Sequence, residues 1–308
     1  MPLRSVLNSE WSIRCQALFF QIGFNKGLEM KNILLGSMLI FLSSCATGGK
    51  IMKADKPFAP TAAGPFVHPK DKLKNLGLHH KKIWVVGYMN AGLAECIQDL
   101  ENSFNNGADA IVFEGHDYKK MDGLFTEIRK KYPTQIIGVD FLGPEENLYT
   151  YKETFDLAKK HKLQIAWTDF SGVDQIQEAH DANLHDIQAN TDPNIFYVSG
   201  IHMKYSNLID VNKPIEKSAL QAMGFVDGII VTGPKTGVAA DPDKVIKVKK
   251  VVHDYPVGLA SGVSAENIQP FLPYIDYVLV NTSIADKNHR ILPDKMKALR
   301  QAMVKWFR

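Results

Sequence analysis

The sequence contains little that points to covalent cross-links or a metal site. It has three cysteines in 308 residues, Cys15, Cys45 and Cys96, and they lie far apart. Because disulfide frameworks and zinc sites need paired or closely spaced cysteines, neither is predicted. No complete Walker, dinucleotide-binding or nucleophile-elbow motif is found, since the Gly233–Gly237 segment carries only part of such a pattern.

The net charge is also small. It is +3, from 36 Lys and Arg against 33 Asp and Glu. The first 44 residues carry four basic and two acidic residues, so the remainder has 32 minus 31, or +1. A nucleic-acid-binding surface is therefore not predicted. With 45% apolar and 22% charged residues, the chain has the composition of a globular protein rather than a disordered one.

No apolar run reaches the length of about 20 residues that a membrane-spanning helix needs. The run Ile33–Leu42 follows Lys31 and precedes Leu-Ser-Ser-Cys, which ends at Cys45. This pattern resembles the signal of bacterial lipoproteins. The resemblance implies a signal peptide at 30–45 with Cys45 as the lipidated residue, and a protein anchored to a membrane of the cell envelope. It also implies that 1–29 is a non-native extension. Residues 46–82 are rich in Pro, Gly, Ala and Lys without a sustained period, which predicts a flexible tether. A soluble chain with an apolar N-terminal helix is the alternative.

From residue 83 onward, short apolar segments alternate with segments of helical spacing. The apolar segments near the C-terminus are continuous rather than alternating, as in Gly228–Val231 and Tyr277–Val280. Such runs are typical of parallel strands buried on both faces. Eight strands are predicted: Ile83–Tyr88, Asp109–Glu114, Gln135–Phe141, Leu163–Thr168, Ile195–Ile201, Phe225–Thr232, Pro256–Ser261 and Tyr277–Asn281. The predicted helices include Ala91–Asn106, Met121–Tyr132, Leu148–His161, Asp243–Asp254 and Pro293–Phe307.

Eight alternating strand and helix units in about 225 residues match the size of a TIM barrel. The predicted fold class is therefore α/β, a (β/α)₈ barrel at 83–308 that follows the signal peptide and tether. An open doubly wound sheet of eight strands is the alternative. In both folds ligands bind at the C-terminal ends of the strands.

Small and hydroxyl residues follow the last three predicted strands at this edge. They are Thr232, Gly233, Ser261, Gly262, Asn281, Thr282 and Ser283. Because loops after the last barrel strands can bind phosphate through backbone N–H groups, we predict a phosphate site there, together with Thr236 and Gly237. A side chain at the glycine positions is expected to block an anion from the backbone. The alternative is that small residues simply let the loops turn.

Carboxylates end the second, third and fourth strands, at Glu114, Asp140 and Asp169. Convergent carboxylates suit general acid–base catalysis, binding of sugar hydroxyls, or a divalent metal, although no cofactor is specified. After the fifth strand, His202 and Lys204 lie two residues apart, so both side chains would point into the mouth of the barrel if the chain stayed extended. They would then serve as proton carrier and anion partner. A loop histidine and a solvated lysine are the alternative.

Three motifs resemble those of the BtpA/SgcQ family. They are GFVDGIIVTGPKTG, PVGLASGVSAENI and IDYVLVNTSIADKN, in this order. The resemblance covers most of Gly107–Asp294 and implies a TIM barrel of the ribulose-phosphate-binding kind, in a family whose biochemical function is poorly defined. Asn281 replaces a glycine of the family pattern, and the acidic residue expected before His202 is missing. These departures indicate a diverged member.

We therefore predict a barrel whose mouth binds a small polar or phosphorylated ligand, such as a sugar or nucleoside phosphate. If it is an enzyme, proton-transfer or nucleosidase-like hydrolytic chemistry fits best, with a carboxylate as base and His202 as acid or base. The resemblance also implies a competing role as a catalytically silent assembly factor at a membrane. An enzyme should gather the carboxylates and His202 around one volume, whereas a scaffold should have a closed mouth and an apolar patch. A homo-oligomer is compatible with either role.

Overall fold

The eight predicted strands form a closed parallel barrel. The computed structural model describes residues 67–80, 82–89, 92–143, 150–174, 187–205, 210 and 212–304. The strands are β1 (Ile83–Tyr88), β2 (Ala110–Gly115), β3 (Ile137–Phe141), β4 (Ile165–Thr168), β5 (Phe196–Gly200), β6 (Gly228–Thr232), β7 (Val257–Ala260) and β8 (Tyr277–Val280). Each pairs in parallel with the next, and β8 returns to β1. The TIM-barrel prediction is confirmed, and the open sheet is excluded.

The strands are continuous apolar runs because both of their faces are buried. One set of side chains packs inside the barrel, where Trp84, Phe196 and Tyr277 make stacked and edge-to-face contacts. The other set packs beneath the surrounding helices in a larger apolar cluster. With water excluded from both sides, polar residues are confined to the two strand ends.

Helices surround the barrel between the strands. They are α1 (Pro69–Asn75), α2 (Leu93–Asn105), α3 (Tyr118–Lys131), α4 (Tyr151–Lys160), α5 (Ile215–Ala222), α6 (Pro242–Val252) and α7 (Pro293–Met303). Asp117 and Asp241 cap α3 and α6 by accepting backbone N–H bonds. The alternation of strands and helices predicts a helix between β7 and β8, but the chain forms the 3₁₀-helix Gln269–Tyr274 there, because Pro273 inside it cannot donate an α-helical hydrogen bond.

An aspartate precedes three of the strands at the N-terminal end of the barrel. Asp109 accepts the backbone N–H of Ile83, and Asp276 accepts that of Val257. Asp227 does the same for Tyr197 on β5. Each carboxylate also pairs with a cation, Arg300, Lys249 or Lys72 respectively. In this repeated arrangement, carboxylates supply hydrogen-bond partners to backbone N–H groups that have little access to water.

The predicted tether needs correction near its end. Residues 69–75 form helix α1, on which Leu73 is 8% exposed, and Leu78 after it is 1% exposed. Both belong to the apolar cluster inside the barrel, so they cover its N-terminal end. The sequence hides this helix because it has only about two turns and few apolar residues, so it is too short to show a periodic pattern.

Several sequence predictions lie outside the described residues. They concern the extension at 1–29, the signal peptide at 30–45 with Cys45, and the tether as far as residue 66. Among the described helices, none is long and apolar enough to span a bilayer.

Candidate active site at the barrel mouth

A cavity of about 190 Å³ opens at the C-terminal ends of the strands. The predicted site residues that line it are Glu114, Asp169, Lys204, Thr232, Thr236, Gly237, Ser261, Gly262, Asn281, Thr282 and Ser283. These residues come from chain segments about 170 positions apart, and barrel closure brings them to one rim. Asp140, His202 and Gly233 are predicted site residues that do not line this cavity.

Two of the three carboxylates line the cavity, and the third is fully buried. Strand register places Glu114 beside Tyr88 on β1 and beside Asp140 on β3. Glu114 and Asp169 are half-buried at the cavity wall, together with Tyr88. Asp140 is 0% exposed, and neither of its carboxylate oxygens has a hydrogen-bond partner among the described residues. The prediction that Asp140 meets the ligand is therefore corrected: it is a fully buried neighbour of Glu114 that does not line the cavity.

Burial raises the pKa values of the three carboxylates to different extents. It raises the pKa of Glu114 to about 8, with a further contribution from the charge of Asp169. It raises the pKa of Asp169 to about 6, and the ammonium of Lys204 opposes both shifts. Burial, then Asp169 and Glu114, raise the pKa of Asp140 well above its ordinary value. At neutral pH the cavity wall therefore presents a largely protonated Glu114 beside a largely ionised Asp169.

Lys204 connects the carboxylates to the loops after β6 and β7. Its Nζ donates to Thr236 Oγ1 at 3.0 Å and to Ser261 Oγ at 2.9 Å. The adjacent Tyr205 is 70% exposed at the rim, and its hydroxyl accepts the backbone N–H of Thr236 at 3.0 Å. The ammonium is thus held between two loops that the sequence predicts to bind an anion.

Several polar atoms around the cavity have no partner among the described residues. They include the indole N–H of Trp167 and the hydroxyls of Thr232 and Ser283. Thr232 is 1% exposed and Trp167 is 5% exposed. Since buried polar groups normally find hydrogen bonds, unsatisfied ones that line one cavity are expected where a ligand or ordered water completes them.

Packing between loops requires glycine at two of the predicted positions. A β carbon on Gly233 would stand 1.9 Å from the carbonyl oxygen of Val238, and one on Gly262 would stand 2.1 Å from the backbone nitrogen of Ala239. Both glycines are therefore required by close approach of the loop after β6. Gly262 also has a φ of +62°, in the left-handed region that favours glycine. This packing fixes the shape of the rim, and the role predicted for the glycines in admitting an anion stays a prediction.

His202 does not point into the mouth. The strand β5 ends at Gly200, and His202 has a φ of +46°, so the alternation of an extended chain stops before it. Its Nε2 lies 3.2 Å from the hydroxyl of Ser218 on α5, and its backbone N–H donates to the carboxylate of Asp174. The expectation that His202 and Lys204 share one direction is wrong for this geometric reason.

Asn281 makes two side-chain contacts at the rim, at a position where the BtpA/SgcQ pattern has glycine. Its side-chain amide donates to the carbonyl of Val86 at 2.8 Å and its oxygen lies 3.0 Å from His289 Nδ1. His289 in turn lies against the ring of Tyr88, with the ring centroids 4.7 Å apart. Sequence reasoning did not select Tyr88, Trp167 or Tyr205, although Tyr88 ends its strand just as Glu114 does.

No group of three His, Cys, Asp or Glu side chains among the described residues is arranged to hold a metal ion. A second, more open cavity of about 640 Å³ lies at the opposite end of the barrel, near Lys82 and Asp276. There Lys249 is already paired with Asp276 at 2.9 Å. The mouth cavity, with its unpartnered polar atoms, is the better candidate site.

The fold and the position of this cavity define the class: a TIM barrel with a polar site at the C-terminal strand ends. The model of the BtpA family matches residues 167–304, in agreement with the resemblance of the sequence motifs. An uncharacterised mitochondrial protein of Caenorhabditis elegans is 26% identical over 211 residues, 60% of this chain and 73% of that protein. An uncharacterised protein of Pyrococcus horikoshii is 23% identical over 219 residues, 67% of this chain and 83% of that protein.

Solved structures with the same fold include two enzymes. The 3-hexulose-6-phosphate synthase of Salmonella typhimurium superposes with a TM-score of 0.51 at 12% identity, over 73% of this chain and 99% of the enzyme. The tryptophan synthase of Mycobacterium tuberculosis gives 0.52 at 14% identity, over 76% of this chain and 97% of that chain. At such identities the likeness concerns the barrel fold alone.

Proposed function

We propose that this protein is a diverged BtpA-family barrel that binds a small phosphorylated ligand, of the sugar or nucleoside type, at its mouth. The observation that carries the proposal is the position of Lys204. Its ammonium bridges Thr236 and Ser261 on two loops and also limits the rise in pKa that burial causes at Glu114 and Asp169. One cation therefore serves both an anion site and an acid–base pair.

The phosphate is proposed to bind among the loops after β6, β7 and β8. Lys204 and the hydroxyls of Thr282 and Ser283 supply donors there, and the hydroxyl of Ser283 has no other partner among the described residues. Charge-assisted hydrogen bonds to an anion are about twice as strong as neutral ones, so this cluster is suited to a phosphate. The exposed hydroxyl of Tyr205 accepts a hydrogen bond from the backbone N–H of Thr236. A phosphate bound here would compete with Tyr205 for this N–H.

The rest of the ligand would face the carboxylates. An ionised Asp169 can accept a proton while a protonated Glu114 donates one, the division of roles that acid–base enzymes use. We propose proton-transfer or glycosidic chemistry on this basis. The polar cavity supports this over an assembly factor without a ligand, for which a closed mouth is expected.

Binding of inorganic phosphate, measured by calorimetry, tests the anion site. Lys204→Gln is expected to weaken it at least about tenfold, since hydrogen bonds to charged groups contribute about 1.5–3 kcal/mol. Lys235→Gln removes the same charge from an exposed position in the loop after β6 and is expected to have little effect. If both variants weakened phosphate binding equally, the effect would come from the net charge of the protein rather than from a site at Lys204, and the proposed site would be refuted.

We also propose that the chain is anchored at the cell envelope through a lipid on Cys45. The pattern of Lys31, the apolar run Ile33–Leu42 and the cysteine supports this. Mass spectrometry of the native protein should find a mature chain that begins at a lipidated Cys45. A mature chain that retains residues before Cys45 would contradict the proposal.

A further inference from the structure

We infer that the mouth selects phosphate esters by the charge of their other end. It accepts an uncharged, hydroxyl-bearing end or a cationic end and rejects a second anion. This inference rests on the proposed phosphate site and adds a rule for what is attached to the phosphate. The rule follows from how charge is distributed along the cavity.

Positive charge is confined to one side of the cavity. Lys204 is the single Lys or Arg among the described residues that line it, and its hydrogen bonds hold it at Thr236 and Ser261. A phosphate bound at these loops would use this cation. None of the described lining residues offers a second lysine or arginine to another anionic group.

The opposite side carries acidic groups. Glu114 and Asp169 form part of the wall, and Asp140 lies beside Glu114 in strand register. Asp140 has no hydrogen-bond partner among the described residues and is wholly buried, so its charge or proton is not screened by water. Like charges that meet in such a place repel strongly, because the surroundings are less polarisable than water.

A ligand hydroxyl can hydrogen-bond to a wall carboxyl group in either protonation state. A hydroxyl donates to the ionised carboxylate of Asp169 and accepts from the protonated carboxyl of Glu114. An ammonium group pairs with Asp169 directly. A ligand carboxylate can accept from Glu114 but cannot donate to Asp169, whose negative charge repels it, so its binding should improve as the pH falls through the range in which Asp169 takes up a proton.

Three phosphate esters of similar size separate these cases: glycerol phosphate with a hydroxyl end, phosphoethanolamine with a cationic end, and phosphoglycerate with a carboxylate end. Displacement of inorganic phosphate from the full chain at neutral pH measures each. Phosphoglycerate is expected to bind at least about tenfold more weakly than glycerol phosphate. Equal affinity of these two esters would overturn the inference while leaving the phosphate site intact, whereas failure of inorganic phosphate itself to bind would overturn both.

Two variants test the origin of the selection. Glu114→Gln and Asp169→Asn keep the shape of the wall and remove an acid. Asp169→Asn removes a charge that is present at neutral pH and should narrow the difference in affinity between the two esters severalfold, whereas Glu114→Gln should narrow it mainly above about pH 8, where Glu114 is ionised. Their binding of inorganic phosphate reports that the site is still folded. Glu127→Gln removes an exposed carboxylate from the outer face of α3, where it pairs with Lys130, and should leave the gap unchanged. A gap that persists undiminished in both wall variants would refute the role of the acids.

Discussion

A β carbon on Gly262 would lie 2.1 Å from the backbone nitrogen of Ala239, which no side chain can tolerate without movement of the loop. The residue also has a φ of +62°. Gly262→Ala therefore combines overpacking with backbone strain and is expected to lower the free energy of unfolding by about 2–4 kcal/mol. Because Gly262 shapes the rim, phosphate binding should weaken as well. Urea denaturation and phosphate calorimetry measure the two effects.

Gly123 provides the matched control. It is exposed on α3, and a β carbon there would meet nothing within 4 Å. Gly123→Ala should stabilise the protein by about 0.5–1 kcal/mol, because alanine loses less conformational entropy in a helix. A Gly262→Ala variant as stable as Gly123→Ala would show that the rim loop is not held as described.

The raised pKa values of the carboxylates predict a pH-dependent stability. Glu114 and Asp169 have folded-state pKa values of about 8 and about 6, above those of the unfolded chain. Between about pH 4 and pH 8 the native state therefore keeps protons that the unfolded chain has released. The free energy of unfolding should fall as the pH rises through this window and then level off.

Replacing Glu114 with its neutral isostere should reduce the dependence of the free energy of unfolding on pH. Glu114→Gln is expected to stabilise the protein by about 1–3 kcal/mol above pH 8 relative to the wild type, and by less near pH 5. Denaturation series over this pH range measure the difference. The exterior change Glu127→Gln should not alter the slope, and a wild-type stability that rises with pH would contradict the assignment.

The ion pair between Lys72 and Asp227 predicts how firmly α1 is attached. Lys72 Nζ lies 2.6 Å from Asp227 Oδ2, and the two side chains are 11% and 18% exposed. Lys72→Met would leave this carboxylate nearly buried without its cation, so a loss of about 2–4 kcal/mol is expected. The same change at Lys152, whose pair with Asp156 is exposed, should cost under about 0.5 kcal/mol. Equal losses measured by urea denaturation would show that α1 does not depend on the pair.

Much of the fold could be predicted because each strand repeats the same local pattern. The predicted strand Ile83–Tyr88 matches the structure residue for residue, and the other strands differ only at their ends. Helix α1 was missed because its stability comes from the Leu73 contact with the barrel and the ion pair with Asp227, and neither is local in sequence. The sequence predicted which strand ends form the candidate site, but not the positions and directions of the side chains there.

The sequence by itself determined a parallel barrel and the rim where polar side chains meet, because burial on both faces forces apolar strands and leaves only their ends for polar groups. Tertiary structure alone decided the direction of each group at that rim. His202 turns toward Ser218 because its backbone leaves the extended conformation, and Asp140 lies beside Glu114 because strand register pairs the two residues. Directions of this kind depend on register and loop torsions, which residue type and spacing do not specify.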